Sequence, residues 1–205
     1  MKRIGVLVSG GGTNLQALID AQKDGSLKSG RIELVLSNKV DAFALHRAQL
    51  ARIPTAIVTK EQYPEKEAFE QAILARLMEY RIDLVVLAGF MSVLSPEFVA
   101  HYPRAMINIH PSLIPSFCGE GFYGLRVHRA AIERGVKVSG ATVHYVNEIV
   151  DGGEIIAQKA LAVRKGETPE SLQRRVLENC EWAILPRAVE KVCREMESGQ
   201  TEEDG

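Results

Sequence analysis

Short apolar runs alternate with longer segments of helical periodicity along the first half of the chain. Each apolar run has the length of a buried strand, and the periodic segments are suited to crossover helices. This alternation predicts an α/β fold with a doubly wound, mostly parallel, Rossmann-like sheet. The predicted strands are 3–8, 32–37, 53–58, 84–88 and 105–109, and the longer predicted helices are 15–22, 42–51 and 66–80.

The second half of the chain shows a different pattern. Residues 140–146 alternate between apolar and polar positions, and residues 154–161 return after a turn that contains two glycines. We therefore expect an antiparallel pair of strands after the last parallel strand. A C-terminal helix should begin at Thr168, a capping residue followed by a proline, and Pro186 should kink or interrupt it.

Composition narrows the possible classes of protein. The 205 residues suit one domain, which we place at 1–195, followed by an acidic, frayed tail at 196–205. The 25 Lys and Arg residues against 26 Asp and Glu residues indicate neither a nucleic-acid nor a membrane partner. Three cysteines without CxxC spacing argue against a zinc site or a disulfide framework. With no signal peptide evident, we expect a cytoplasmic protein.

Two polar side chains mark the end of the last predicted parallel strand. Asn108 and His110 alternate with apolar residues, so they point to one face, and Pro111 ends the strand beside them. An amide and an imidazole at the carboxyl edge of a sheet can stabilise and protonate an oxyanion at a carbonyl carbon. The alternative is that Asn108 caps a turn and His110 is a hydrogen-bonded core histidine.

A glycine-rich turn joins the first predicted strand to the first helix, with the sequence SGGGTN at 9–14. Backbone N–H groups converge in such a turn, and the helix N-terminus adds positive potential, so a phosphate can bind without a lysine. The turn lacks the spacing of a dinucleotide fold or a Walker loop, which favours a mononucleotide-type phosphate. A plain strand-to-helix turn is the alternative.

Two other segments bear on a ligand site. The apolar loop at 89–94 follows the fourth predicted strand and could form one wall of a pocket for a flat ring, although core packing explains it equally well. Asp151 precedes two glycines and could simply form a turn. If its carboxylate instead approaches His110, we expect it to raise the pKa of the imidazole so that the ring can act as a general acid near neutral pH.

Four segments of the sequence resemble the motifs of the formyltransferase family. They are SGGGTNLQ at 9–16, LAGFM at 87–91, NIHPSLIP at 108–115, and TVH at 142–144 followed by DGG at 151–153. Together they cover the chain from residue 1 to about 190. The last two segments are shared across the family, whereas the glycine-rich turn is similar to that of the branch that formylates glycinamide ribonucleotide.

This resemblance implies a folate-dependent transferase of de novo purine (IMP) biosynthesis. The implied reaction moves the formyl group of 10-formyltetrahydrofolate to the amine of glycinamide ribonucleotide, giving formylglycinamide ribonucleotide and tetrahydrofolate. Asn108, His110 and Asp151 match the family's catalytic residues, and no metal is implied. The partners are the two small-molecule substrates, and the protein would be a monomer or a homodimer.

The resemblance also implies which residues bind each substrate. Gly12, Thr13 and Asn14 match residues that hold the ribonucleotide phosphate, and Glu181 matches a carboxylate that binds the ribose hydroxyls. The residues that match the folate site are Lys66, Met91, Ser92, Val93, Leu94 and Asn108. Ser92 replaces an arginine of some members, so pterin contacts through that side chain are not carried over, whereas contacts through its backbone are. The loop at 118–124 is longer and more aromatic than in many relatives, so its contacts are not carried over.

Three other functions remain open at this point. A methionyl-tRNA formyltransferase or a formyltetrahydrofolate hydrolase would share the set of Asn108, His110 and Asp151. The first resembles a longer chain with a basic C-terminal domain, and the second usually has an extra N-terminal domain. A mononucleotide-binding module would need only the glycine-rich turn, and it would leave the polar strand end unexplained.

Overall fold

The computed structural model describes residues 1–199, which form a seven-stranded sheet with helices on both faces. The strand order is β3-β2-β1-β4-β5-β6-β7. The strands are β1 (Lys2–Val8), β2 (Gly30–Ser37), β3 (Thr55–Ile57), β4 (Leu84–Leu87), β5 (Met106–His110), β6 (Val138–Tyr145) and β7 (Ile155–Ala162). The helices are α1 (Thr13–Asp24), α2 (Phe43–Leu50), α3 (Lys66–Glu79), α4 (Pro96–Val99), α5 (Leu125–Arg134), α6 (Pro169–Val176) and α7 (Trp182–Ser198).

The pairing of the strands confirms the predicted fold class. The first five strands are parallel, whereas β6 pairs antiparallel with both β5 and β7. Alternate side chains of each buried strand enter different cores, as the period of two requires. On β1, Ile4 and Val6 enter one apolar core and Leu7 enters the other. The apolar runs of the sequence were therefore strands buried on both faces.

The carboxyl ends of β1 and β4 form the topological switch point of the sheet. The chain runs outward from β1 through β2 to β3 and then returns to the other side of β1 as β4. Loops that follow these two strands diverge, and the crevice between them is where open α/β sheets bind ligands. The glycine-rich turn follows β1 and the apolar loop at 89–94 follows β4, so both predicted ligand segments border this crevice.

The ends of several elements differ from the predictions. The edge strand β3 covers only Thr55–Ile57 of the predicted 53–58. The C-terminal helix is interrupted by a π-helical turn at Leu177–Glu181, and Pro186 lies further on, inside α7. Helix α7 continues to Ser198, past the predicted start of the acidic tail, and residues 200–205 lie outside the described residues. Within residues 1–199, no helix is both long and apolar enough to cross a membrane.

Candidate active site

The three predicted catalytic residues lie together at the carboxyl edge of β5. Asn108 and His110 come from the strand, and Asp151 comes from the turn that joins β6 to β7. The Asp151 carboxylate is 3.4 Å from the His110 ring through Oδ2 and Nδ1, and it accepts a 3.4 Å hydrogen bond from the Asn108 amide. The His110 and Asp151 side chains are 6% and 9% exposed, so these contacts are shielded from water.

The turn around Asp151 fixes the position of its carboxylate. Asp151 has a positive φ of 55°, and the Gly119 N–H donates a 2.9 Å hydrogen bond to Oδ2. A Cβ at Gly153 would collide with the Tyr145 carbonyl oxygen, so this glycine lets the two sides of the turn approach. Asp151 is therefore both a turn residue and a member of the polar cluster, and the two interpretations of the sequence are compatible.

The structure contradicts the predicted direction of the His110 pKa. Burial lowers the pKa of His110 below its usual 6.5, and this effect outweighs the opposing effects of the Asp151 charge and the Phe117 carbonyl. The imidazole is therefore mainly neutral at pH 7. Because the Phe117 carbonyl can only accept, the neutral ring donates from Nε2 at 2.9 Å and directs the Nδ1 lone pair toward Asp151.

The Asp151 carboxyl is shifted to favour its charged form. Although burial acts to raise its pKa, the net pKa lies below the usual 3.8 because the hydrogen bond with His144, the attraction of His110 whenever that ring is protonated, and the Gly119 N–H favour the carboxylate. In the protein as described, a neutral imidazole thus faces a carboxylate with no proton between Nδ1 and Oδ2. This arrangement can accept one proton and hold it in place.

His144 belongs to the same cluster, although the sequence analysis gave it no role. It lies directly opposite Asn108 in the antiparallel register of β5 and β6. Its Nε2 is 3.2 Å from the Asn108 amide nitrogen and 3.5 Å from Asp151, and its Nδ1 donates to the Tyr145 carbonyl at 2.7 Å. The TVH segment contained the signal, because an inward residue of a strand paired with β5 must face Asn108 or its neighbour.

A cavity of about 260 Å³ opens beside this cluster. Its walls are the loop at 90–94, the turn at 146–151 and the loop at 119–123, and Asn108 and His144 line it as well. Of the predicted folate-binding residues, it is lined by Met91, Ser92, Val93, Leu94 and Asn108. The loop at 119–123 is the wall that the sequence analysis left without a function.

Lys66 does not line this cavity. It lies at the start of α3, with its Nζ 4.0 Å from a Glu70 oxygen, and borders a separate surface groove. The predicted contact between Lys66 and folate therefore finds no support in the position of the cavity. Two hydrogen bonds fix the loop at 90–94 to neighbouring segments. The Ser9 hydroxyl accepts from the Met91 N–H at 2.8 Å, and the Ser92 hydroxyl accepts from the Asn38 side-chain amide at 3.0 Å.

The glycine-rich turn has the geometry of an anion site. The carbonyls of Gly10 and Gly11 accept hydrogen bonds from the Ala44 N–H and the Arg47 side chain of α2, at 3.0 and 2.8 Å. In trans peptides the following N–H groups point the opposite way, away from α2. Helix α1 then begins at an N-cap glycine, Gly12, without a side-chain cap, so the N–H groups of its first turn remain available to an anion.

Asn14 and Glu181 meet across 167 residues of sequence. Asn14 lies in the first turn of α1, and its side-chain amide donates a 2.6 Å hydrogen bond to the Glu181 carboxyl on the π-helical turn. Burial raises the pKa of Glu181 to about 7, against the weaker opposing effect of the Asn14 hydrogen bond. The structure thus brings the predicted ribose-binding residue next to the predicted phosphate-binding turn.

The two halves of the site are a short distance apart. The end of β1 and the end of β5 are separated by β4, which corresponds to two strand spacings or about 10 Å. Among residues 1–199, no three His, Cys, Asp or Glu side chains are grouped closely enough to hold a metal ion. A ligand with an anionic group at one end and a reactive group at the other could span the distance from α1 to Asn108.

Similarity to known proteins was found in both sequence and structure. The family model for formyl transferase matches residues 2–189. The phosphoribosylglycinamide formyltransferase of Escherichia coli (strain K12) is 42% identical over 184 residues, which is 90% of this chain and 84% of that protein. The trifunctional purine biosynthetic protein adenosine-3 of Homo sapiens is 44% identical over 190 residues, 93% of this chain, but the chain spans only 18% of that protein's length.

A solved structure supports the same relationship. The crystal structure of glycinamide ribonucleotide transformylase 1 from Symbiobacterium toebii matches with a TM-score of 0.88 and 43% identity, covering 95% of this chain and 88% of that one. Since a family model and a relative of similar length both cover most of the chain, the resemblance seen in the sequence motifs is confirmed. This chain belongs to the formyl transferase family.

Proposed function

We propose that this protein transfers the formyl group of 10-formyltetrahydrofolate to the amine of glycinamide ribonucleotide in purine biosynthesis. The observation that carries the proposal is the buried cluster of Asn108, His110 and Asp151 at the edge of a cavity, with an uncapped helix N-terminus following β1. The end of β1 lies two strand spacings, about 10 Å, from the end of β5. A nucleotide phosphate at α1 would place an amine within reach of this cluster. The names of the relatives point to the same acceptor.

The cavity fits part of a folate. Its 260 Å³ is just below the roughly 300–1,000 Å³ of sites that bury a whole drug-sized ligand, so a ring system would be enclosed and the rest would extend to the surface. Its walls include Phe90, Val93 and Ile149, which suit a flat ring, and Asn108 also lines it. We assign Met91, Ser92, Val93 and Leu94 to the folate side, and we leave Lys66 out because it borders another groove.

Asn108 acts on the oxygen of the formyl group in this proposal. As the acceptor amine bonds to the formyl carbon, negative charge develops on that oxygen, and the Asn108 amide donates a hydrogen bond to it. Of the two contacts of this amide, the bond to Asp151 is long at 3.4 Å, so the oxygen can take its place with little loss.

His110 and Asp151 transfer the proton of the acceptor amine in this proposal. The Asp151 carboxylate lines the cavity and takes the proton lost by the attacking amine, and the neutral His110 Nδ1 that faces it accepts this proton in turn. The resulting imidazolium is stabilised by Asp151, and the proton returns through Asp151 to the folate nitrogen as its bond to the formyl carbon breaks. This replaces the expectation that His110 is already charged before the reaction begins.

Gly12, Thr13 and Asn14 hold the phosphate through the N-terminus of α1, and Glu181 takes the ribose hydroxyls. Both sites are formed within one chain, in a domain that we place at 1–195, so a monomer or each subunit of a homodimer can carry out the reaction. The three cysteines are free, two of them buried, which suits a reducing compartment such as the cytoplasm.

The test is an assay with and without the acceptor. Purified protein is mixed with 10-formyltetrahydrofolate, folate absorbance is followed, and the formylated product is identified by mass spectrometry. We expect deformylation of the folate only when glycinamide ribonucleotide is present. Deformylation without an acceptor would indicate a hydrolase, and formylation of methionyl-tRNA instead would replace the acceptor in our proposal.

A further inference from the structure

Within residues 1–199, a buried acceptor beside Glu181 has no hydrogen-bond donor. The Asn14 side chain is 8% exposed and Glu181 is 6% exposed, and the Asn14 amide nitrogen donates to Glu181 Oε2 at 2.6 Å. The other polar atom of the same amide, Oδ1, is fully buried and has no partner among the described residues. Buried amide oxygens are nearly always paired, so this one points to a donor close by.

The neighbouring carboxyl can be that donor only in its acid form. A carboxylate accepts hydrogen bonds and cannot satisfy an amide oxygen, whereas a carboxylic acid has one O–H to donate. In a paired arrangement, the Asn14 N–H binds one oxygen of Glu181 and the Glu181 O–H binds Asn14 Oδ1. Both side chains are then satisfied without any other group.

We propose that Glu181 is a protonated carboxylic acid paired with Asn14 in the ribonucleotide-free protein, and that it releases this proton when the ribonucleotide binds. The inference deepens the proposed function and rests on it, because it assumes that the ligand is a ribonucleotide. Asn14 is then a positioning residue that orients Glu181 and tunes its protonation, in addition to its place in the phosphate turn.

The surroundings of Glu181 support the acid form. Burial raises its pKa to about 7, and the Asn14 hydrogen bond acts in the opposite direction. Elements α6, α7, β6 and β7 pack against the π-helical turn, and their cations include Arg175, Arg187 and Lys159. Of these, Lys159 and Arg175 act on the neighbouring Cys180. Among residues 1–199, no cation contributes to the pKa of Glu181, so a carboxylate at this position would be poorly compensated for its burial.

Binding of the ribose changes this balance. Two ribose hydroxyls can both donate to a carboxylate, whereas an acid would offer them a donor in place of one acceptor. The Glu181 proton leaves to the solvent, and the ribose O–H groups take over as donors. Since the pKa is about 7, about half a proton per site is released at pH 7, and about one-tenth at pH 8.

Calorimetry measures this proton directly. Glycinamide ribonucleotide is titrated into the protein at pH 7 in buffers with different ionisation enthalpies, and the slope of heat against ionisation enthalpy gives the number of protons released. The ligand phosphate also titrates, with a second pKa of about 6, so the matched variant Glu181→Gln provides the background. We expect wild type to release about half a proton more than this variant. Equal release would overturn the proposal.

A second variant tests the pairing itself. Asn14→Leu, with a side chain of similar size, removes both hydrogen bonds of the pair, so the infrared carbonyl band of the Glu181 acid should move to higher frequency. An unchanged band position would contradict the role of Asn14.

Infrared spectroscopy tests the free protein without any ligand. A protonated carboxyl gives a carbonyl stretching band distinct from carboxylate and amide bands. We expect the band at pH 6 in wild type, its decline by pH 8, and its absence in Glu181→Gln. If glycinamide ribonucleotide does not bind, the proposed function is wrong, and this band still decides whether Glu181 is an acid. Absence of the band in wild type overturns the inference even if the ligand binds.

Discussion

Replacing Asp151 by asparagine tests the proton relay at the centre of the proposed mechanism. Asparagine is nearly isosteric, tolerates the positive φ of 55° at this position, and keeps an oxygen that can accept from the Gly119 N–H. The fold and the binding of both substrates should therefore survive. What is lost is the negative charge 3.4 Å from His110 Nδ1.

The size of the effect follows from that distance. Two unit charges 3.4 Å apart attract by about 5 kcal/mol at an effective dielectric constant of about 20. This is the stabilisation that the imidazolium of the proposed mechanism would lose, and about 1.4 kcal/mol corresponds to a tenfold change in rate. We therefore expect kcat to fall by about 10²–10⁴, the range found for general acid–base groups, with little change in KM for either substrate.

The variant should also change the pH dependence of kcat in a defined direction. The Asp151 charge acts to raise the pKa of His110, so the variant should have a lower imidazole pKa than wild type. Because the proposed mechanism needs neutral His110 to accept a proton, kcat should rise with pH through this pKa. In the variant, the rising limb should lie at lower pH and lead to a much smaller plateau.

The assay combines kcat measurements between pH 5 and 9 with NMR titration of the histidine rings. Glu148→Gln is the matched control, since Glu148 is an exposed carboxylate on the same turn and lines the same cavity. The control should keep kcat close to wild type. A folded Asp151→Asn protein with kcat within tenfold of wild type, or with an unchanged His110 pKa, would show that Asp151 is only a turn residue.

Three other predictions follow from the same geometry. Asn108→Ala should lower kcat by about 10²–10³, as loss of one oxyanion donor does, and a normal kcat with intact folding would remove Asn108 from the mechanism. Gly11→Val should raise the ribonucleotide KM without unfolding the protein, because a Cβ at Gly11 meets no atom within 4 Å. Gly12→Val should instead lower the melting temperature, because Gly12 has a positive φ and a Cβ there would lie 2.5 Å from Ala44. Equal melting temperatures of the two variants would contradict this difference. Glu181→Gln should stabilise the fold at pH 8–9 by about 3 kcal/mol and have no such effect at pH 4. The reason is that the pKa of Glu181 is raised from 4.5 to about 7, so wild type loses stability as pH rises through this window. Urea unfolding at several pH values is the measurement, and parallel curves of unfolding free energy against pH for wild type and variant would contradict the reasoning.

Much of the fold was determined by local features of the sequence. Runs of apolar residues of strand length, separated by helical periods, allow few arrangements other than a doubly wound sheet, because each strand must be covered on both faces. The ends of these strands were also visible, since Pro111 stops β5 and the glycines stop β1. The sequence alone therefore places Asn108, His110 and the phosphate-type turn at the carboxyl edge of the sheet.

Other properties of the site depended on the tertiary structure. The contact between Asn14 and Glu181 joins residues 167 positions apart, and no local pattern encodes the π-helical turn that presents Glu181. The same holds for the loop at 119–123, which becomes a cavity wall only through the packing of the turn at 146–151 against it. The sequence also could not show that Lys66 lies outside the wall of this cavity, because that depends on how α3 packs.

Protonation shows most clearly what the sequence could not determine. From the residues alone, a carboxylate beside an imidazole predicts a raised pKa for His110, since opposite charges attract at short distance. In the structure the imidazole is almost fully buried, and the loss of its hydration outweighs the attraction of Asp151. The interaction between two neighbouring residues can be inferred from their types, but burial is a property of the whole fold. In this protein, burial determines the charge of the proposed catalytic residue His110.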